Sequence, residues 1–106
     1  MSSSTAISIT APLWLWSSEN GRWHFVTVPE EQSDEIRAHC FAVQRGFRSA
    51  RVSATIHSTG SGQAVTWRTS VFPMKSGGYI LPVKAEVRRK ADIAVDDQVT
   101  VTLELL

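Results

Sequence analysis

Residues 51–71 read RVSATIHSTGSGQAVTWRTSV. Val52, Ala54 and Ile56 alternate with Arg51, Ser53, Thr55 and His57, and Val65, Trp67, Thr69 and Val71 alternate with Thr66, Arg68 and Ser70. Successive side chains of a strand point to opposite faces, so each run is a strand with one face on a core and the other in water. Residues 59–63, carrying Gly60 and Gly62, form the loop between them. The same period returns at the end of the chain, where Val99, Val101, Leu103 and Leu105 interleave with Thr100, Thr102 and Glu104.

Upstream, two apolar, β-prone runs over residues 11–16 and 23–28 flank Glu19-Asn20-Gly21-Arg22. Asn-Gly between such runs marks a hairpin, because both residues tolerate the positive φ of a tight turn. Pro29 ends the second strand and opens a helix, where its missing N–H is not needed. Glu30 and Glu31 then suit the positive end of the helix dipole. From Ser33, a candidate second N-cap, Ile36, Cys40, Val43 and Phe47 recur at spacings of four, three and four, with Gly46 as C-cap. Glu35, Arg37, His39 and Arg45 fall off that apolar face. Downstream come Phe72-Pro73, a turn over residues 74–78, a short strand over 79–83 and a short helix over about 85–91.

About six strands and two short helices in 106 residues are too much sheet for an open meander. Closing the sheet removes its edges, and helices can cover the ends. The expectation is a mostly β fold: one β-barrel domain over residues 1–106, with residues 1–10 as a flexible N-terminus. Composition agrees, with 42% hydrophobic and 20% charged residues, as in an ordinary globular chain.

The net charge of +1 argues against nucleic-acid or membrane binding driven by electrostatics alone. Basic residues are nevertheless skewed: three against five acidic up to Phe47, and eight against five from Arg48 onward. Cys40 is the single cysteine, so no disulfide forms within the chain and a reducing cytosol fits. Met1 to Thr5 carry no basic or apolar leader pattern, and no apolar run approaches a membrane span, so the expected location is cytoplasmic.

No metal or cofactor motif is present; His24, His39 and His57 fall on different elements, without metal-ligand spacing. No catalytic residue, metal or cofactor is therefore assigned. His39 and Cys40 are adjacent on a helix and point about 100° apart, so Cys40 reads as a small core residue rather than a nucleophile. Trp14, Trp16, Trp23 and Trp67 are many for this length; they read as core residues, or alternatively as a stacking wall in the mouth of the barrel.

Residues 66–89, TWRTSVFPMKSGGYILPVKAEVRR, carry the candidate site. Arg68 and Ser70 share a strand face. Ser76, Gly77 and Gly78 can offer a nest of backbone N–H groups, flanked by Lys75, Lys84 and Arg88. Lys84 stands before a helix, whose N-terminus also favours an anion. With Tyr79, these groups are expected to hold a phosphate or carboxylate; the plainer reading is a tight glycine turn and solvated helix charges.

Residues 23–31, Arg45-Gly46-Phe47, residues 67–89 and residues 99–105 together resemble an uncharacterised bacterial family, domain of unknown function nineteen-oh-five. The resemblance runs from about Leu13 to Leu105. Its most specific part is Thr69-Ser70-Val71-Phe72-Pro73 followed by Gly77-Gly78-Tyr79 and Leu81-Pro82-Val83-Lys84-Ala85. It implies a double-split β-barrel, a pseudobarrel capped by helices, and no established activity, substrate or catalytic residue. A second similarity, through Leu81-Pro82-Val83, Val87-Arg88-Arg89, Ile93, Asp97 and Val99, is to the strand–helix–strand unit of transition-state-regulator and antitoxin DNA-binding domains. Asp96 stands where those domains carry glycine.

Two functions follow. The first is a monomeric binding or accessory module for a small anionic ligand or a protein partner near Arg68, Lys75, Tyr79 and Lys84. The second is a DNA-binding regulator using Arg48, Arg51, Arg88, Arg89 and Lys90, which the near-neutral charge weighs against. An enzyme using a buried Lys84 as base or nucleophile is a third, with no residue to orient a partner for it.

Overall fold

The computed structural model describes residues 6–44, 49–57 and 60–106. Six strands, β1 (Ala6–Ser18), β2 (Gly21–Val28), β3 (Ala50–Ile56), β4 (Val65–Pro73), β5 (Tyr79–Pro82) and β6 (Gln98–Leu105), form a closed barrel in the order β1-β2-β5-β4-β3-β6. Every neighbouring pair is antiparallel. Two helices complete the architecture, α1 (Glu30–Gln44) and α2 (Ala85–Ala91).

The alternating stripes point inward as their parity requires. Val52, Ala54, Ile56, Val71, Val99, Val101 and Leu103 are buried, and Trp67 joins them. Strand β1 is longer than its apolar run: it begins at Ala6, so residues 6–10, expected to be flexible, form part of the barrel wall. Ile7 and Ile9 enter the core, and Ala6 to Pro12 pair with β6 from Glu104 to Gln98. The short alternation Ile7-Ser8-Ile9-Thr10 is itself a strand pattern, stabilised by the ladder that β6 supplies. The other half of β1, from Leu13 onward, pairs with β2.

The β1–β2 hairpin forms one residue earlier than Asn-Gly implies. Ser18 pairs with Gly21, so Glu19 and Asn20 make the two-residue loop. Asn20 N–H is held by the Ser18 hydroxyl at 3.1 Å, and Gly21, at φ +136°, supplies the one positive φ of this turn.

Helix α1 follows Pro29 directly, and Ser33 is no second cap. Ser33 is buried; its hydroxyl donates to Val28 O (3.1 Å) and accepts from Tyr79 N–H (3.2 Å), tying the first turn of α1 to β2 and β5. Ile36 and Cys40 are buried as their spacing requires. The Val43 side chain, Phe47, Arg48 and the Gly46 cap lie outside the described residues.

Helix α2 lies against β4 and ends at Asp92, whose φ of 55° is left-handed. Asp96 is also left-handed, at φ 78°, a conformation that aspartate tolerates better than most side chains. Asp96 N–H donates to Leu13 O (2.8 Å), Leu13 N–H to Asp97 O (3.0 Å), and Asp97 Oδ2 accepts from Ala94 N–H (2.9 Å). These bonds fix the turn into β6 against β1.

The β3–β4 loop reaches this C-terminal end of α2. Gly60 N–H donates to Ala91 O at 2.9 Å, and a Cβ on Gly60 would lie 2.6 Å from Asp92 O, which is backbone and cannot swing aside. Gly60→Ala is therefore expected to destabilise the fold by about 1–3 kcal/mol, the usual cost of overpacking. At this chain length that lowers Tm by at least about 4 °C. Thermal unfolding followed by circular dichroism reads it directly, and neighbouring Ser61→Ala, at an exposed position, should leave Tm unchanged.

Candidate functional site

Strands β4 and β5 pair only at Phe72↔Ile80 and Pro73↔Tyr79. Continued, that register would set Val83 opposite Thr69 and Lys84 opposite Arg68, but the chain has parted by then and turns into α2 at Lys84. On the other side of β5 the ladder does continue, with Val83 N–H donating to His24 O at 2.9 Å. Arg22, Trp23 and His24 of β2 thus come alongside Val83, Lys84 and Ala85. A cavity of about 380 Å³ fills the parting. Its walls are β2 at Arg22, Trp23 and His24, β4 at Trp67, Arg68 and Thr69, and the segment from Pro82 into α2, with Arg88.

Four cationic side chains, Arg22, Arg68, Lys84 and Arg88, border this one space, and no carboxylate lines it among the described residues. The ion pairs of the described residues lie elsewhere: Arg37 with Asp34, and Lys90 with Glu86 at 3.3 Å. Arg88 is the anchored member. Its Nε donates to Val83 O (3.1 Å) and its Nη1 to His24 Nε2 (3.3 Å), so His24 accepts through Nε2 and carries its proton on Nδ1.

The eight residues singled out from sequence divide among several places. Arg68, Lys84 and Arg88 come together in this cavity. Ser70 is half-buried on β4, opposite Arg51, and Lys75 is exposed in the β4–β5 turn; neither lines the cavity. Gly77 and Gly78 belong to a separate recess of about 460 Å³ with Glu30, Ser33, Asp34 and Arg37. There Gly77 N–H donates to Met74 O (2.9 Å), Gly78 O accepts from Met74 N–H (2.7 Å), and Gly77 O takes the Arg37 guanidinium. The turn thus consumes the Gly77 amide, and Glu30 and Asp34 stand beside it with Arg37. Tyr79 is buried in the core at 1% exposure, with its hydroxyl donating to Cys40 Sγ at 3.9 Å. Burial first, and then that hydrogen bond, raises its phenol above the ordinary value.

Lys84 is exposed, not buried as the enzyme reading has it. Of the basic residues of the DNA-binding alternative, Arg51 lies on β3, while Arg88, Arg89 and Lys90 share the last turn of α2, where Arg88 borders the cavity and Lys90 pairs with Glu86. Arg48 lies outside the described residues.

Core placement holds for Trp67 alone of the four tryptophans, at 9% exposure. Leu13 takes the inner face of β1, so Trp14 and Trp16 fall on the outer face, where Trp16 is 47% exposed and its cross-strand partner Trp23 is 52% exposed. Trp14 stacks at 44° on Phe25, ring centroids 5.2 Å apart, and donates from Nε1 to Thr27 Oγ1 at 2.8 Å.

The family model for a domain of unknown function, DUF1905, matches residues 10–103, from within β1 to within β6. The chain belongs to that family. No curated protein of described function matches it. The match embraces every wall of the cavity in this DUF1905 chain, since Arg22 and Arg88 both fall inside it.

Arg22, Trp23 and His24 were not singled out with the site from sequence. The signal for them is strand register: once β2 is paired to β5 through Phe25↔Pro82, residues 22–24 must stand beside 83–85.

The positive field of the cavity acts on its one imidazole. Burial lowers the His24 pKa from 6.5, and the Arg88 and Arg22 guanidiniums lower it further. The unfolded chain therefore takes up this proton before the folded one as pH falls. Stability is expected to decline from about pH 6.5 downward and to level off once folded His24 is also protonated. Urea midpoints measured between about pH 8 and pH 5 should show this slope, and His24→Gln should flatten it relative to the parent.

Proposed function

We propose that the protein is a binding module that takes a small anionic ligand in the parting between β4 and β5. The observation that carries this reading is the gathering of Arg22, Arg68, Lys84 and Arg88 around one concave space with no lining carboxylate among the described residues. Like charges brought together without counter-ions repel one another, and a phosphate or carboxylate relieves that repulsion while forming charge-assisted hydrogen bonds. A volume of about 380 Å³ lies within the ordinary range of small-molecule sites. Guanidinium groups from three segments, β2, β4 and α2, suit the several oxygens of one phosphate group, and Arg88 is held in position by Val83 O before any ligand arrives.

Bound anion would also draw a proton onto His24, because the charge that now disfavours the imidazolium would be neutralised. The module accordingly binds more tightly in mildly acidic solution.

Thermal unfolding in the presence of inorganic phosphate, pyrophosphate and sugar phosphates tests the reading. A ligand at one hundred times its Kd adds about 2.7 kcal/mol of stability, a rise in Tm of roughly 10 °C. Arg68→Ala and Arg88→Ala should each weaken that ligand about ten-fold or more, and added salt should weaken it further. A flat Tm across the panel, unchanged by either substitution, would count decisively against an anion site.

A further inference from the structure

The cations account for only part of the cavity. Its remaining lining is largely apolar: Trp67, the exposed Trp23, and Pro82 with Val83. A bare anion would sit among the guanidiniums and leave that lining in contact with water. Trp23 is the residue the fold explains least. It is 52% exposed although its backbone pairs with Trp16 across β1, so its exposure follows from strand parity and not from a loose chain end. It borders the basic cavity on one side and an apolar groove with Trp14, Trp16, Phe25 and Ile80 on the other. An indole at the rim, next to Arg22, offers a π-face to a flat ring at the small cost of ordering two side-chain torsions.

Resting on the anion-site reading above, we propose that the ligand is a nucleoside monophosphate, its phosphate among Arg68, Lys84 and Arg88 and its base stacked on Trp23. The chemistry is that of a compact dianion joined to a planar aromatic body. Arginine and lysine satisfy the phosphate, while Trp23 and Trp67 take the base out of water. Stacking is tolerant of base identity because every base has a π-face, so purine and pyrimidine nucleotides both bind.

The experiment compares adenosine monophosphate, uridine monophosphate, ribose 5-phosphate and adenosine on the full chain, by calorimetry and by tryptophan fluorescence. Both nucleotides should bind about ten-fold or more tighter than ribose 5-phosphate, the gain one stacked base provides, and should quench fluorescence. Trp23→Ala should abolish that advantage while leaving ribose 5-phosphate affinity unchanged; Trp23→Phe should retain most of it; Trp16→Ala should leave both affinities intact. Equal affinities for nucleotide and ribose 5-phosphate overturn the stacking proposal and leave the anion site standing. So does a Trp23→Ala variant that loses both ligands in the same proportion, which would mark a structural role. If neither phosphate compound binds, the anion site falls as well.

Discussion

The ring of six strands is joined at one seam by only two residue pairs, Phe72↔Ile80 and Pro73↔Tyr79, whereas the other neighbours share four to seven. Pro73 and Pro82 bracket this seam and neither has an N–H to give to a ladder. Strand β5 is instead fixed from its other side, by its four pairs with β2 and by α1. The Ser33 hydroxyl bridges Val28 O to Tyr79 N–H, and the Tyr79 ring fills the core beside Cys40. The first turn of α1 thus ties β5 to β2 at the residue where β5 also begins its short pairing with β4. Above the seam β4 and β5 diverge, α2 drops against β4, and the Gly60 loop closes over its far end. The cavity is the volume this divergence leaves.

Placing four cations around such an opening costs the free protein little, because Arg22, Arg68 and Lys84 are exposed and water screens their repulsion. The one partly buried member, Arg88, has its guanidinium hydrogen-bonded to Val83 O and His24, and His24 responds by staying neutral more readily than an ordinary imidazole. The arrangement is asymmetric: inexpensive while solvated, and strongly favourable once a multiply charged anion meets several of these groups at once.

Much of the fold was legible because parity in a strand is a local property. The stripes of Val52, Val65 and Val99 each announced an inward face without reference to their partners, and closure followed from having too many edges. Two things were not local. Residues 6–10 carry an Ile-Ser-Ile alternation too short to mark a strand by itself until β6 is beside them, since it gains its stability from the neighbouring ladder. The site, likewise, is a product of register. Arg68, Lys84 and Arg88 can be chosen by residue type, and the glycine turn by its backbone N–H groups, but residue type does not say whether they share one space. An inward parity sends Tyr79 to the core, and the turn at Gly77 sits at the opposite end of β5 from Lys84. Arg22 and His24, sixty residues away in sequence from α2, enter through the β2–β5 pairing.

The size of the barrel limits where a ligand of any kind could sit. Eight strands enclose an interior just wide enough for side chains, and six enclose less. Here that interior is taken up by Ile9, Leu13, Val26, Ile56, Leu81 and Leu103, all effectively without solvent contact. Among the described residues, a barrel so filled leaves little room for an internal chamber. The concave spaces it offers lie on the outer faces of the strands or where two strands part. The outer face of the β1–β2 hairpin carries tryptophans and no cluster of charge among the described residues, while the parting of β4 from β5 carries charge and an aromatic rim together. Trp23 stands at the junction of the two, which is why the chemistry of the site is read most fully there.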